Sequence, residues 1–165
     1  MKRQPYTRKK YIRGSPSPRI TKFTMGDSTS SFQYQALLIA QEAAQVRHVA
    51  LEAARIATNR LLSTKLGENY FLQINPYPHN VLRENKMIFG AHADRLQDGM
   101  KKSFGKSIGT AARVKRNQTV MTARVDKEGV EVVKEALRRG GAKLPMSCQV
   151  VIEKTSAEQS EQTSL

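Results

Sequence analysis

Polar and apolar residues alternate at the start of Phe32 to Ala40, FQYQALLIA, and then the run becomes continuously apolar. That pattern predicts a strand passing into a buried environment, with a helix running into the next segment as the competing reading. From Val46 to Leu62 the spacing changes, and Val46, Val49, Ala50, Ala53, Ile56, Ala57 and Leu61 recur on one helical face with Arg47, Glu52, Arg55 and Arg60 elsewhere. A core-facing helix is predicted, with Gly67 as its C-cap. His48 sits among these apolar positions and reads as a satisfied, partly buried histidine.

Short strands follow. Tyr70 to Asn75 is closed by Pro76 and Pro78, and Val81 to Phe89 reads as another strand. Gly90 to Gly109 has no sustained period and carries Gly90, Gly99, Gly105 and Gly109, so it is predicted to be a long flexible loop, a length that suits a functional one. Thr110 to Lys115 and Thr119 to Val125 are expected to pair as a hairpin about Lys115 to Gln118. Asp126 is placed to N-cap a helix over Lys127 to Arg139, whose stripe is Val130, Val133, Ala136 and Leu137 and whose end is Gly140-Gly141. A last strand covers Cys148 to Glu153. Strands flank two main helices without regular crossovers, so the predicted class is α+β, a single compact domain with an antiparallel or mixed sheet.

Charge adds a second layer. The 165 residues carry 28 lysines and arginines against 14 acidic groups, a net charge of +14, which points to a polyanionic partner. The excess is concentrated in two places. Residues 1–22 hold eight basic and no acidic residues, and residues 81–116 hold nine basic and three acidic. The first segment, broken by Pro5, Pro16 and Pro18, reads as an extended arm that stays disordered until it meets its partner; Tyr6 and Tyr11 in it can stack on bases. The expected organisation is therefore an arm over 1–22, a domain over 23–154 containing the loop 90–109, and a polar acidic tail over 155–165. No apolar run approaches a membrane span, and the basic N-terminus lacks an apolar stretch behind it, so the expected location is intracellular and no membrane partner is predicted. The single cysteine, Cys148, excludes a disulfide within the chain and reads as a core thiol.

The loop contains one near-match to known chemistry. Gly105-Lys106-Ser107 resembles the end of a nucleotide-binding phosphate loop, which needs four residues between its first glycine and the Gly-Lys-Ser/Thr so that backbone N–H groups cradle phosphates. Five residues, Met100 to Phe104, follow Gly99, and Met100 holds the position where glycine is required. A nucleotide hydrolase using Lys106 is therefore rejected. His79, His92 and Asp94 lack metal-ligand spacing, and Asp94 and Asp98 are expected to pair with Arg95, Lys101 or Lys102 instead of forming a catalytic couple. No catalytic residue, metal, cofactor or small-molecule substrate is predicted.

The segments Pro5 to Gly14 (PYTRKKYIRG), Asn75 to Val114 (NPYPHNVLRENKMIFGAHADRLQDGMKKSFGKSIGTAARV) and Glu135 to Pro145 (EALRRGGAKLP) together resemble the archaeal and eukaryotic large-subunit ribosomal protein family L10e, counterpart of bacterial L16. The resemblance runs from about Arg3 to Lys154. It implies a sandwich-like domain that binds large-subunit ribosomal RNA beside the corridor by which transfer RNA enters the peptidyl transferase centre, in the cytoplasm and among neighbouring ribosomal proteins. The family's basic extension is matched by Lys2, Arg3, Arg8, Lys9, Lys10, Arg13 and Arg19. Its loop near the transfer RNA acceptor end is matched by Asp98, Gly99, Met100, Lys101, Lys102, Ser103, Phe104, Gly105, Lys106, Ser107, Ile108 and Gly109. Tyr6, Tyr11, Lys22, Arg83, Lys86, Arg95, Arg113, Lys115 and Arg116 complete the expected RNA-binding set. The glycines Gly99, Gly105 and Gly109 are expected to let backbone approach crowded RNA. Residues usually found before the Pro-Tyr-Thr-Arg block are missing here, and the tail does not match the eukaryotic extension, which favours an archaeal version. The rival reading is a free-standing RNA-binding module or subunit-assembly factor.

Overall fold

The structure is a computed structural model describing residues 9–86, 99–100 and 103–155. Among the described residues, eight strands form two antiparallel sheets. β1 (Thr24–Gly26), β2 (Tyr34–Ala40), β4 (Phe71–Ile74), β7 (Thr119–Val125) and β8 (Cys148–Lys154) make a five-stranded sheet in the order β1-β4-β7-β2-β8. β3 (Ala44–Arg47), β5 (Asn80–Glu84) and β6 (Lys106–Val114) make a three-stranded one with β6 central. The α+β class predicted from the spacing is the one observed. Residues facing each other across the strands explain the core: Leu38 pairs with Met121, Ala36 with Ala123, Ile74 with Met121 and Leu72 with Ala123, so one face of the large sheet is lined by buried apolar side chains.

Two helices cover that face. α1 (His48–Leu66) packs on α2 (Val130–Gly141), which itself lies against β2, β7 and β8. α2 buries Val133, Ala136 and Leu137, with Val130 half-buried, as its stripe predicts. α1 does not bury the predicted one. Its inward residues are His48, Leu51, Ala54, Thr58 and Leu62, whereas Val49 and Ile56 are 40% and 50% exposed, and Val46 lies in β3 before the helix begins. Alanine on both sides of α1 leaves little contrast between the faces, and the face that can approach α2 most closely wins. The contact explains Gly140: a Cβ there would stand 2.2 Å from Thr58 Oγ1. Gly140 and Gly141 thus lie inside α2, which runs to Ala142 as its C-cap, and do not end it as expected.

Other boundaries move for identifiable reasons. The Asp126 side chain makes no cap; its carbonyl accepts the Gly129 N–H (3.0 Å) in a 3-10 turn, Lys127–Gly129, that leads into α2. Gly67, with φ +63°, does cap α1. The predicted strand from Val81 ends at Glu84, and of its remainder residues 87–89 lie outside the described residues. β6 and β7 are not a hairpin, because β6 pairs with β3 and β5 whereas β7 pairs with β2 and β4. The turn Lys115 to Gln118, with Asn117 at φ +61°, instead carries the chain from one sheet to the other. Beside it the β2–β3 connection makes the same crossing. Ala40 ties the two together, donating to Gln118 O (3.0 Å) and accepting from the Asn117 N–H (2.7 Å).

Candidate nucleic-acid interface

The basic arm is not wholly separate from the domain. Lys9–Tyr11 form a 3-10 turn, and the chain after it meets β6 at Ser107 and the start of α1 at His48. Gly14 O accepts the Ser107 hydroxyl (2.9 Å), the Arg19 N–H donates to His48 Nδ1 (2.9 Å), and Ile20 is 1% exposed within the core. Burying an isoleucine this fully stabilises the attachment by about 1.5–3 kcal/mol. Gly14, Arg19 and Ile20 thus fasten the described part of the arm to the domain ahead of residue 23. Lys2, Arg3, Tyr6 and Arg8 lie outside the described residues.

His48 is the buried anchor of this arrangement. Its Nδ1 accepts a backbone N–H, so the ring is the neutral Nε2–H tautomer. Burial, with the positive charges of Arg47 and Arg19 adding to it, pushes its pKa below the ordinary 6.5. Gly109 stands against the ring's other edge, where a Cβ would lie 3.0 Å from Nε2. That glycine has an internal reason to be one.

The same holds at the base of the predicted loop. Gly105, at φ +75°, would bring a Cβ within 2.8 Å of Met100 Sδ and 2.9 Å of the Glu84 carbonyl carbon. Gly99 O accepts from Asn85 Nδ2 (2.9 Å), and the Ser103 N–H bonds to Met100 O (3.3 Å). Lys106 to Gly109 belong to β6 and are not loop; serine and glycine at Ser107 and Gly109 hid the alternation. Gly105-Lys106-Ser107 consequently opens a strand, whereas a phosphate loop must open a helix whose N-terminus faces the anion. The geometry removes the nucleotide reading independently of the spacing. Asp98, Lys101 and Lys102, with Arg95, His92 and Asp94, lie outside the described residues.

The ion pairs Glu52–Arg55 (2.6 Å), Glu131–Lys134 (2.6 Å), Glu135–Arg139 (2.5 Å) and Glu135–Lys65 (3.3 Å) all lie on the two helices. The arginine beside Glu52 and the two cations beside Glu135 hold those carboxyls below the usual range. By contrast Lys10, Arg13, Arg19 and Lys22 on the arm, and Lys106, Arg113, Lys115 and Arg116 on β6 and its turn, are exposed and have no carboxylate partner among the described residues. Lys86 is exposed just beyond β5. Arg83 is fixed internally: its guanidinium carbon lies 4.2 Å from the centre of the Phe104 ring, and Nη1 donates to Phe104 O. The Ser107–Gly14 hydrogen bond thus brings the described part of the arm against β6, 93 residues away in sequence. Sequence reasoning missed the fasteners Ser107 and Asn85, because single polar residues carry no periodic signal, whereas His48 is the satisfied, buried histidine expected of it.

Nothing in the described residues assembles a catalytic group. No cluster of His, Cys, Asp and Glu able to hold a metal occurs among them, and no helix there is long and apolar enough to cross a membrane. His79 Nδ1 lies 3.1 Å from its neighbour Tyr77 O. Cys148 is half-buried against the core beside a cleft formed with Leu38, Arg138 and Met146, and burial pushes its thiol pKa up, away from the thiolate a nucleophile requires.

Residues 1–151 match the family described as ribosomal protein L16p/L10e. The chain is 57% identical over 148 residues to large ribosomal subunit protein uL16 of Staphylothermus marinus, covering 89% of this chain and 85% of that one. It is 52% identical over 147 residues to uL16 of Hyperthermus butylicus (88% and 82% covered). Against uL16 of Sulfolobus acidocaldarius it is 49% identical over 156 residues (93% and 89%).

Proposed function

The chain belongs to the ribosomal protein L16p/L10e family, and on that premise we propose that it is a structural constituent of the large ribosomal subunit that holds ribosomal RNA through its arm and three-stranded sheet. One observation carries the assignment of surface: the exposed Lys10, Arg13, Arg19 and Lys22 of the arm and Lys106, Arg113, Lys115 and Arg116 of β6 with its turn have no carboxylate partner among the described residues, whereas Arg55, Lys65, Lys134 and Arg139 on the helices each face a glutamate. Phosphate contacts position a protein without reading sequence, and structured RNA is recognised largely by shape and backbone. An arm fastened at Gly14, Arg19 and Ile20 presents its cations in a set geometry, which lowers the ordering cost of binding.

The finer part of the proposal puts this surface near the peptidyl transferase centre, with the segment Asp98 to Gly109 reaching transfer RNA. Its support is the family resemblance, together with a loop base closed tightly on β5 by Asn85, Arg83 and Gly105. Catalysis there belongs to RNA. The expected result is that the tagged protein co-sediments with large subunits after a high-salt wash; recovery only in the soluble fraction would favour a free-standing RNA-binding module and defeat the structural role. In subunits that incorporate Lys101→Ala/Lys102→Ala fully, accommodation of transfer RNA is expected to slow, and wild-type rates would remove the transfer RNA contact.

A further inference from the structure

Where the arm meets the loop base, two aromatic rings from distant parts of the chain come together in solvent. Tyr11 and Phe104 lie with ring centres 6.4 Å apart and planes at 73°, edge to face, yet remain 51% and 41% exposed. An aromatic pair assembled only for stability would be expected to bury its faces. Each ring also carries a cation. Lys10 Nζ is 5.0 Å from the centre of the Tyr11 ring, and Arg83 lies over Phe104 while its Nη1 holds the Phe104 carbonyl. The Phe104 ring and backbone are thus positioned by one side chain, and the Tyr11 turn is tethered nearby through Gly14 and Ser107.

We propose that Tyr11 and Phe104, braced by Lys10 and Arg83, form a stacking platform for an unpaired nucleobase of RNA. The inference rests on the ribosomal RNA reading above and deepens it by naming what is bound: a base turned out of a helix, in addition to backbone phosphates. A nucleobase offers the π face that exposed aromatics and guanidinium planes take, and the neighbouring phosphate supplies the charge that Lys10 meets. A paired base does not expose its face. The platform therefore distinguishes single-stranded from duplex RNA, which the phosphate-binding lysines and arginines cannot do. Its two rings come from segments that only folding brings together, so an arm detached from the sheet would not form it.

The test uses the full chain with two RNA probes of equal length, one a single-stranded oligonucleotide and one a fully paired stem. Phe104→Leu is expected to weaken single-strand binding by roughly 5- to 150-fold, the effect of losing one base–aromatic stack, with Phe104→Tyr restoring it and binding to the stem unchanged. Tyr11→Leu, in the other segment, is expected to act in the same direction, and thermal unfolding identifies any variant that no longer folds. The dependence on salt should be the same for all of them, since no phosphate contact is removed. The platform is overturned if folded Phe104→Leu and Tyr11→Leu bind single strands as tightly as wild type, or lose affinity for the paired stem equally. Wild-type protein that binds neither probe would instead defeat the RNA reading itself.

Discussion

The imidazole of His48 joins arm, sheet and helix, and its protonation state decides whether it can. Only a neutral ring accepts the Arg19 N–H at Nδ1, and burial with Arg47 and Arg19 nearby keeps it neutral by lowering its pKa from 6.5. The unfolded chain therefore binds a proton before the folded one does. The resulting stability is fully present above about pH 6.5 and is lost as pH falls towards the lower, folded-state value. Comparing thermal midpoints of wild type and His48→Gln between about pH 7.5 and 5 isolates this contribution from the other titrating groups. Wild type is expected to lose more stability on acidification than the variant; parallel profiles would show that the Arg19 hydrogen bond does not depend on this proton.

Between elements, α1 fits closely on α2. Thr58 is fully buried, its hydroxyl lies 3.4 Å from Ala136 O, and the missing side chain of Gly140 makes room for it. Gly140→Ala is expected to destabilise by about 1–3 kcal/mol, because a methyl group cannot share that space without moving a helix. Thr58→Ala should remove the obstruction, so in urea unfolding the double variant is expected to be more stable than Gly140→Ala alone. A strictly additive cycle would mean the helices do not meet there. The same contact shows what the pattern of residues can and cannot convey. The stripe of α2 is legible because Val133 and Leu137 have few apolar rivals on its outer face. The stripe of α1 is not, since Val49 and Ile56 outside match Leu51 and Leu62 inside in hydrophobicity, and only the partner's shape separates them. Likewise the extent of β7, Thr119–Val125, is legible in the sequence, whereas its pairing with β2 and β4 instead of β6 depends on a crossing between sheets that no local pattern records.

Across the whole molecule, charge is the more legible signal, since the two basic segments stand out in the sequence and a hydrogen bond from Ser107 of β6 to Gly14 of the arm links their described parts. Which cations are neutralised is not legible, because the pairs on the helices depend on rotamer and helix packing. This difference predicts a separation in the binding of large-subunit ribosomal RNA. If about eight phosphates are neutralised, affinity falls roughly 10³- to 10⁵-fold between about 50 and 200 mM salt. Arg113→Ala/Lys115→Ala/Arg116→Ala should reduce the slope of log affinity against log salt by about 3, near 1 for each phosphate that is no longer held. Lys65→Ala/Lys134→Ala/Arg139→Ala removes the same formal charge, but from cations that already face Glu135 and Glu131. Those release no counterion from RNA, so the slope should stay as in wild type. Equal reduction of slope in both triple variants would mean that net charge alone draws the protein to RNA; unequal reduction assigns the contact to the sheet on which the arm is fastened.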